Sequence, residues 1–159
     1  MFGKPFLRRR PGLGVGGFTV TELVVVVAVI GIIMAVSAPV LFSYLRTSAL
    51  RAGAEEVATV LNRARQLAIK DNRSMCVTND GSRVQYQIGT CGGTIWAGPG
   101  TDSGGFIQLA NNISVTSGQV VFTYIGTATT GTSYTVTSPQ DGSSLRVNVT
   151  AAGRISIDP

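Results

Sequence analysis

Residues 17–45 read GFTVTELVVVVAVIGIIMAVSAPVLFSYL, and this stretch decides the fold. Its larger part, Leu23–Leu45, holds 23 residues and no charged side chain. At 1.5 Å per residue, a helix of this length spans about 35 Å, and the hydrocarbon core of a bilayer is about 30 Å thick. The sequence therefore predicts a helix that crosses a membrane.

The basic residues on the two sides of this stretch predict its orientation. Lys4 and Arg8–Arg10 precede it, whereas Arg46 and Arg51 follow it. The more basic flank of a membrane helix stays in the cytoplasm. We therefore expect a cytoplasmic N-terminus, and we expect the residues after about position 46 to lie outside.

Three interpretations of the N-terminal segment are open. It fits a conventional cleaved signal peptide whose cleavage site is Ala35-Val36-Ser37, but the apolar run exceeds the usual 7–15 residues and Glu22 lies at its start. It also fits an uncleaved signal anchor, which explains the span but not the residues around Gly17. The third interpretation depends on those residues.

The run Gly17-Phe18-Thr19-Val20-Thr21-Glu22-Leu23 follows a basic leader and opens the long apolar stretch. This arrangement resembles the processing site of type IV prepilins and type II secretion pseudopilins. The resemblance implies that a prepilin peptidase cleaves after Gly17 and methylates the new N-terminus on Phe18. Residues 1–17 would then be a leader peptide, and residues 18–45 a transmembrane and filament-core helix.

Glu22 places a carboxylate at the start of an apolar helix, and its presence there requires an explanation. A lone carboxylate in a membrane costs about 2.5–3.5 kcal/mol on insertion scales. Cleavage would place a cationic amine on Phe18, and the Glu22 carboxylate of one subunit could pair with the amine of its neighbour and so set the register of a filament. The other interpretation places Glu22 at the level of the lipid headgroups.

Two further helix residues fit the same resemblance, since Gly31 and Pro39 stand where the helix of this family commonly carries glycine and proline. Pro39 removes one backbone hydrogen bond, so we expect a kink or a local opening there. Glu22 and Pro39 are therefore the predicted assembly residues.

Beyond the apolar stretch, residues 46–70 form an amphipathic continuation of the helix. Apolar residues recur there in steps of three and four, which predicts one face buried against a sheet. They are Leu50, Ala54, Val57, Leu61, Ala64 and Leu67–Ala68.

From Asp71 onward the composition shifts to Val, Ile, Thr, Tyr, Gly and Ser, which predicts an antiparallel β domain over residues 71–159. The fold class is therefore α+β, with a long N-terminal helix packed on a C-terminal β domain, and the resemblance implies that it is pilin-like. The expected strands are Met75–Thr78, Arg83–Ile88, Phe106–Leu109, Ile113–Thr116, Val120–Tyr124, Tyr134–Thr137, Ser144–Thr150 and Arg154–Ile157. Residues Gly126–Ser133 are expected to form a hairpin loop.

Parts of the β domain also resemble this family. The segments Ile95-Trp96-Ala97-Gly98 and Ala152-Gly153-Arg154-Ile155 are similar to H-type pseudopilins and FimT-type minor pilins. This second resemblance is looser than that of the N-terminal segment.

The two cysteines, Cys76 and Cys91, lie outside on the predicted topology, in an oxidising compartment if the cell is Gram-negative. A turn centred on Asp80-Gly81 would place Cys76 opposite Gln85, so the segment Gly89–Gly93 has to fold back for a bond. Compartment and loop size favour a disulfide over two free thiols.

Composition excludes several classes of enzyme. Charged residues make up 13% of the 159 residues, and histidine is absent, which removes histidine-based triads, histidine general bases and most zinc sites. There is no G-x-S-x-G motif and no phosphate-binding P-loop. We therefore expect no enzymatic activity, no cofactor and no metal.

Nucleic acid is a weaker candidate ligand. The net charge of +5 lies mostly in the first ten residues. The rest of the chain contains nine Lys and Arg residues and eight Asp and Glu residues. FimT-type pilins bind DNA through a C-terminal Gly-Arg-x-Arg loop, and the matching residues here are Gly153-Arg154-Ile155-Ser156, so Arg154 is the candidate DNA contact. Without a second arginine, Arg154 also fits an ordinary exposed residue after a turn glycine.

The predicted function is that of a structural subunit, a minor pilin or pseudopilin of a type IV pilus or type II secretion filament. Its expected partners are other pilins or pseudopilins, the prepilin peptidase and the bacterial inner membrane. The alternative is a membrane-anchored extracytoplasmic β domain that binds DNA or a glycan without polymerising. Cleavage after Gly17 distinguishes the two.

Overall fold

The computed structural model describes residues 17–110, 113–116 and 118–158. Residues 1–16 of the predicted leader lie outside this range. The chain divides into two compact units, one that ends at Val40 and one that runs from Leu41 to Pro159. Helix α1 (Val20–Lys70) contributes residues to both units.

The C-terminal end of α1 is closed by backbone hydrogen bonds. The N–H of Asp71 donates to the carbonyl of Leu67 over 2.9 Å. Asn72 then takes the left-handed conformation at φ 49°, which ends many helices. The helix therefore stops at the residue that the change in composition predicts.

Nine strands follow α1 among the described residues, and they form two antiparallel sheets. In the first sheet the order is β3-β2-β1-β6, and β4 also pairs with β2; in the second the order is β5-β7-β8-β9. The α+β class is confirmed, with two sheets where the sequence predicted one β region. The strands are β1 Met75–Asp80, β2 Arg83–Ile88, β3 Thr94–Ile95, β4 Phe106–Gln108, β5 Ser114–Val115, β6 Gln119–Phe122, β7 Thr132–Thr137, β8 Ser144–Val149 and β9 Ile155–Asp158.

The register of the β1–β2 hairpin differs from the prediction. Asp80 lies opposite Arg83, so the two turn residues are Gly81 and Ser82, and Gly81 has φ 59°. Moving the centre of the turn by one position shifts every partner by two residues. Cys76 therefore lies opposite Gln87, and the predicted pairing with Gln85 is wrong.

The predicted loop Gly126–Ser133 is shorter than expected. Its last two residues belong to β7, and Ala128 forms an isolated bridge with Phe122. Threonine suits a strand, but this segment alternates too weakly to reveal its strand from sequence.

The core lies between α1 and the sheets. The buried face of the helix contains Leu50, Ala54, Val57, Leu61, Ala64 and Ala68 of the predicted stripe, and Leu67 is half-buried. Small residues on this face allow close packing. A Cβ atom on Gly53 would lie 2.7 Å from Cδ1 of Ile113, so the sheet side reaches the helix backbone there.

Two buried tyrosines in this core differ in their hydrogen bonding. The Tyr86 hydroxyl donates to the Val60 carbonyl over 2.7 Å. The Tyr134 hydroxyl has no hydrogen-bond partner among the described residues. Burial raises the pKa of both tyrosines well above its usual value, and the nearby Arg63 charge partly opposes this for Tyr86.

Candidate assembly and processing site

The predicted processing residues precede the first turn of α1. Gly17 and Phe18 lie outside the helix, and Phe18 is 84% exposed. A Cβ atom built on Gly17 meets nothing within 4 Å. Both residues of the predicted cleavage site are therefore exposed among the described residues.

Thr19 caps the helix. Its hydroxyl accepts the N–H of Glu22 over 3.2 Å, and its carbonyl accepts the N–H of Leu23 over the same distance. A threonine followed three residues later by glutamate is a common helix start, since the hydroxyl satisfies a free N–H group of the first turn. The sequence thus fixes where the helix begins, directly after the predicted cleavage point.

Glu22 lies in this first turn, and its carboxylate forms no hydrogen bond or ion pair with any residue that the structure describes. A negative charge is favourable near a helix N-terminus by about 0.3–1 kcal/mol when exposed. That gain is smaller than the cost of holding a lone carboxylate in lipid. If this turn lies in lipid, the Glu22 carboxylate needs a partner from outside the described residues.

The apolar part of α1 is exposed on all its sides in this unit. None of the residues in its most hydrophobic stretch is buried, and by length and composition the helix can cross a membrane. Pro39 lies inside the helix, where it cannot donate the usual backbone hydrogen bond. A helix that is hydrophobic all round needs lipid or other helices as its surroundings.

The two cysteines lie within bonding distance and form a disulfide, with their Cα atoms 5.2 Å apart. Cys76 is completely buried on β1, and Cys91 lies in the segment after β2. The corrected register explains the bond, because Cys76 faces Gln87 near the end of β2 and the chain needs to fold back by a short distance.

The Gln87 side chain holds the folded-back segment and is itself held by Gln85; neither role was predicted from the sequence. The side-chain oxygen of Gln87 accepts the N–H of Gly92 over 2.5 Å, and its amide donates to Gln85 over 2.9 Å. Gln85 in turn donates to the carbonyl of Gly104 over 2.9 Å. Their alternation along β2 was visible in the sequence, but their partners were not.

Arg154, the candidate DNA contact, is exposed after the turn glycine Gly153, which has φ 79°. Arg146 lies opposite Asp158, at the other end of the β8–β9 hairpin. The structure therefore does not bring these two arginines together. It places the Arg154 turn beside Arg65 of α1 instead, since a Cβ on Gly153 would lie 3.3 Å from Nε of Arg65.

Two carboxylates of the β domain, Asp80 and Asp141, stabilise turns. Hydrogen bonds from the hydroxyl (2.7 Å) and N–H (3.2 Å) of Ser143 hold the pKa of Asp141 below its usual value. Asp80 forms an ion pair with Arg83 over 3.1 Å. The described residues contain no group of three or more His, Cys, Asp or Glu side chains that could hold a metal ion.

Comparison with protein families gives the decisive observation. Residues 53–153 match the family described as type II transport protein GspH. The chain belongs to the GspH family. Pilins and pseudopilins are structural rather than catalytic proteins that associate in filaments, and the predicted resemblance to H-type pseudopilins and FimT-type minor pilins is confirmed.

Solved structures support the fold. The type IV minor pilin FimU of Pseudomonas aeruginosa, in one crystal form, is similar with a TM-score of 0.51 and 22% identity, over 69% of this chain and 93% of FimU. A second crystal form of FimU gives a TM-score of 0.55 and 20% identity, over 73% of this chain and 92% of FimU. The minor pseudopilin EpsH from the type 2 secretion system of Vibrio cholerae is similar with a TM-score of 0.51 and 13% identity, over 68% of this chain and 94% of EpsH.

No curated protein matches the sequence. The similarity to FimU and EpsH is too low in identity to establish more than the fold. Together with the GspH family, the apolar N-terminal helix points to a single-pass protein of the inner membrane.

Proposed function

We propose that this GspH-family chain is a filament subunit, a minor pilin or pseudopilin that is made as a precursor and assembled from the inner membrane. A prepilin peptidase cleaves it after Gly17 and methylates Phe18. The N-terminus lies in the cytoplasm before cleavage, and the β domain lies on the other side of the membrane. The helix then leaves the lipid and packs in the core of a filament.

The observation that carries this proposal is the start of α1. An accessible Gly17–Phe18 bond is followed directly by a capped helix whose apolar surface is exposed and whose Glu22 carboxylate is unpaired among the described residues. The Leu41–Pro159 unit has a core of its own. The apolar helix is therefore available for lipid and for other subunits.

The proposed chemistry of assembly follows from the two charges. Cleavage leaves a cationic amine on Phe18, and the Thr19 hydroxyl already serves the N–H of Glu22, so the Glu22 carboxylate is not used in capping. In the filament this carboxylate accepts the amine of a neighbouring subunit. Two charges that are costly in an apolar medium are satisfied in one axial register, and other registers leave both unpaired.

Pro39 has a separate role in this proposal. Its ring removes one hydrogen bond of the helix, which allows α1 to bend or open when it passes from lipid to the filament.

The alternative function, an anchored β domain that binds DNA or a glycan without polymerising, requires neither cleavage nor pairing at Glu22. The two are therefore separable by experiment.

The test is the incorporation of Glu22→Ala and Glu22→Gln subunits into filaments, followed by crosslinking to partner pilins. Both variants should insert and be cleaved normally, because losing the carboxylate makes the helix easier to hold in lipid. Both should be impaired in incorporation, since the amine of the neighbour loses its partner.

The matched control is Glu55→Gln on the same helix. Glu55 is exposed and pairs with Arg51 over 3.6 Å, and an exposed pair of this kind contributes about 0–1 kcal/mol. Incorporation should be unchanged in this variant. Equal incorporation of Glu22→Ala and the unmodified protein would refute the pairing role.

A further inference from the structure

The turn Thr123–Thr127 presents two large apolar side chains to solvent. Tyr124 is 56% exposed and Ile125 is 64% exposed, at positions where turns usually carry polar residues or glycine. Ile69, in the last turn of α1, is 48% exposed and lies against Gly126, where a Cβ atom would be 2.8 Å from its Cδ1. We call Ile69, Tyr124 and Ile125 the turn patch.

The turn patch is held rigidly from within. The N–H of Thr123 donates to the carbonyl of Thr127, and that of Gly126 donates to Thr123, both over 2.8 Å. The two threonine hydroxyls are 2.7 Å apart. Binding through a surface that is already ordered loses little conformational entropy.

Two neighbouring elements brace the same turn. Nε of Arg65 on α1 donates to the carbonyl of Gly126 over 2.8 Å. Gly153 of the β8–β9 turn packs so closely that a Cβ there would lie 2.0 Å from the Gly126 oxygen. These hydrogen bonds and close contacts fix the backbone of the turn that carries Tyr124 and Ile125.

Three basic residues adjoin the turn patch in the fold or in the chain. Arg65 reaches it from the helix, Lys70 follows Ile69, and Arg154 follows Gly153. None of these three cations forms an ion pair with a residue in the described ranges, and Asp71 is the carboxylate next to Lys70 in the chain. The residues that adjoin the turn patch are therefore predominantly basic, and we call Arg65, Lys70 and Arg154 the basic rim.

We propose that the turn patch is a docking site for another protein, whose contact surface has an apolar side chain surrounded by carboxylates. Tyrosine and arginine are enriched among the residues that dominate protein–protein binding, and rim charges select the partner. This goes beyond the filament function and does not use the polymerising helix.

Charge and shape favour this occupant over two others. A second copy of the chain, meeting through the same patch, would bring Arg65, Lys70 and Arg154 against their own counterparts, which is unfavourable. A nucleic acid would match the cations, but Ile69 and Ile125 would gain no partner from its phosphates.

The experiment places the photo-crosslinking residue p-benzoylphenylalanine at position 125 of the full-length protein in its native host cell. The matched control places it at position 140, where Gln140 is also exposed in the same unit. We expect a discrete adduct with another protein from position 125 and not from position 140, mapped to a partner segment that contains carboxylates and an apolar side chain.

Charge reversal then tests the rim. Arg154→Glu should reduce the adduct at least about tenfold, because like charges across an interface repel each other. Changing the mapped partner carboxylate to lysine should restore it. The proposal is overturned by an adduct of the chain with itself, by an adduct that nuclease removes, by no adduct at position 125, or by a yield that Arg154→Glu leaves unchanged.

Discussion

Removing the hydroxyl oxygen from each of two buried tyrosines should lower stability in one case and not in the other. Tyr86 and Tyr134 are 0% and 2% exposed, and each Tyr→Phe change keeps the ring. In Tyr86→Phe the bond to the Val60 carbonyl is lost, which costs about 0.5–1.5 kcal/mol for a net hydrogen bond. In Tyr134→Phe no bond is lost within the described structure.

The expected difference between the two variants follows from desolvation. A buried hydroxyl without a partner costs about 1–3 kcal/mol, so Tyr134→Phe should be neutral or more stable than the unmodified protein. For a domain of this size, about 1 kcal/mol moves the melting temperature by about 4 °C. Tyr86→Phe should therefore melt below the unmodified protein, and Tyr134→Phe at or above it.

Denaturant and thermal unfolding of the two variants and their double mutant measure this difference. The ring of Tyr86 also contacts Trp96, with centroids 5.7 Å apart, and phenylalanine retains that contact. If Tyr134→Phe lowers the stability as much as Tyr86→Phe, the Tyr134 hydroxyl has a partner and the reasoning is refuted.

The raised pKa values of the same tyrosines predict how the stability of the fold changes at alkaline pH. Burial raises the pKa of both hydroxyls, so the folded protein binds the two hydroxyl protons more tightly than the unfolded chain does, since unfolded tyrosines titrate near pH 10. Their contribution to stability is complete below about pH 10 and falls as the pH rises further. Each phenylalanine variant should lose less stability between pH 9 and pH 11 than the unmodified protein.

Two further predictions concern the Leu41–Pro159 unit. A fragment that starts near Arg46 should sediment as a monomer, because the polymerising stretch is gone, and reducing the Cys76–Cys91 bond should cost it about 2–4 kcal/mol; a melting temperature indifferent to reductant, with two titratable thiols in the folded fragment, would contradict this. In Gly53→Ala the new Cβ would clash with Ile113, which costs about 1–3 kcal/mol, while alanine gains about 1 kcal/mol of helix propensity over glycine, so the net loss in denaturant unfolding should be about 0–2 kcal/mol and Ile113→Val should recover part of it. A midpoint of Gly53→Ala raised by the full propensity gain would mean that the Ile113 side chain moves aside without cost.

The sequence predicted the helix and most strands because their patterns are local. The apolar stretch and the stripe from Leu50 to Ala68 repeat over many turns, so α1 was predicted to within two residues at its start and to Lys70 at its end. The β3 strand, with two residues, has no pattern to recognise. The hairpin register depended on which two residues form the turn, and Asp80-Gly81 and Gly81-Ser82 are both acceptable turns by composition.

Contacts made across the fold were not predictable. The turn patch combines α1, the turn after β6 and the turn after β8, and no spacing in the sequence brings Ile69, Gly126 and Gly153 together. The glutamines that hold the folded-back segment are equally non-local. The residues at Gly17–Glu22, by contrast, are a contiguous motif, so the sequence alone was enough to propose them.

The N-terminus of the native protein tests the central claim most directly. Intact-mass measurement and N-terminal sequencing of the protein isolated from its host should give a chain that begins at Phe18 and carries a methyl group on its amine. A chain that begins at Phe18 without the methyl group would leave the filament function standing and contradict the methylation. A chain that begins at Ala38 or retains Met1 would contradict the proposal that it is processed as a pilin.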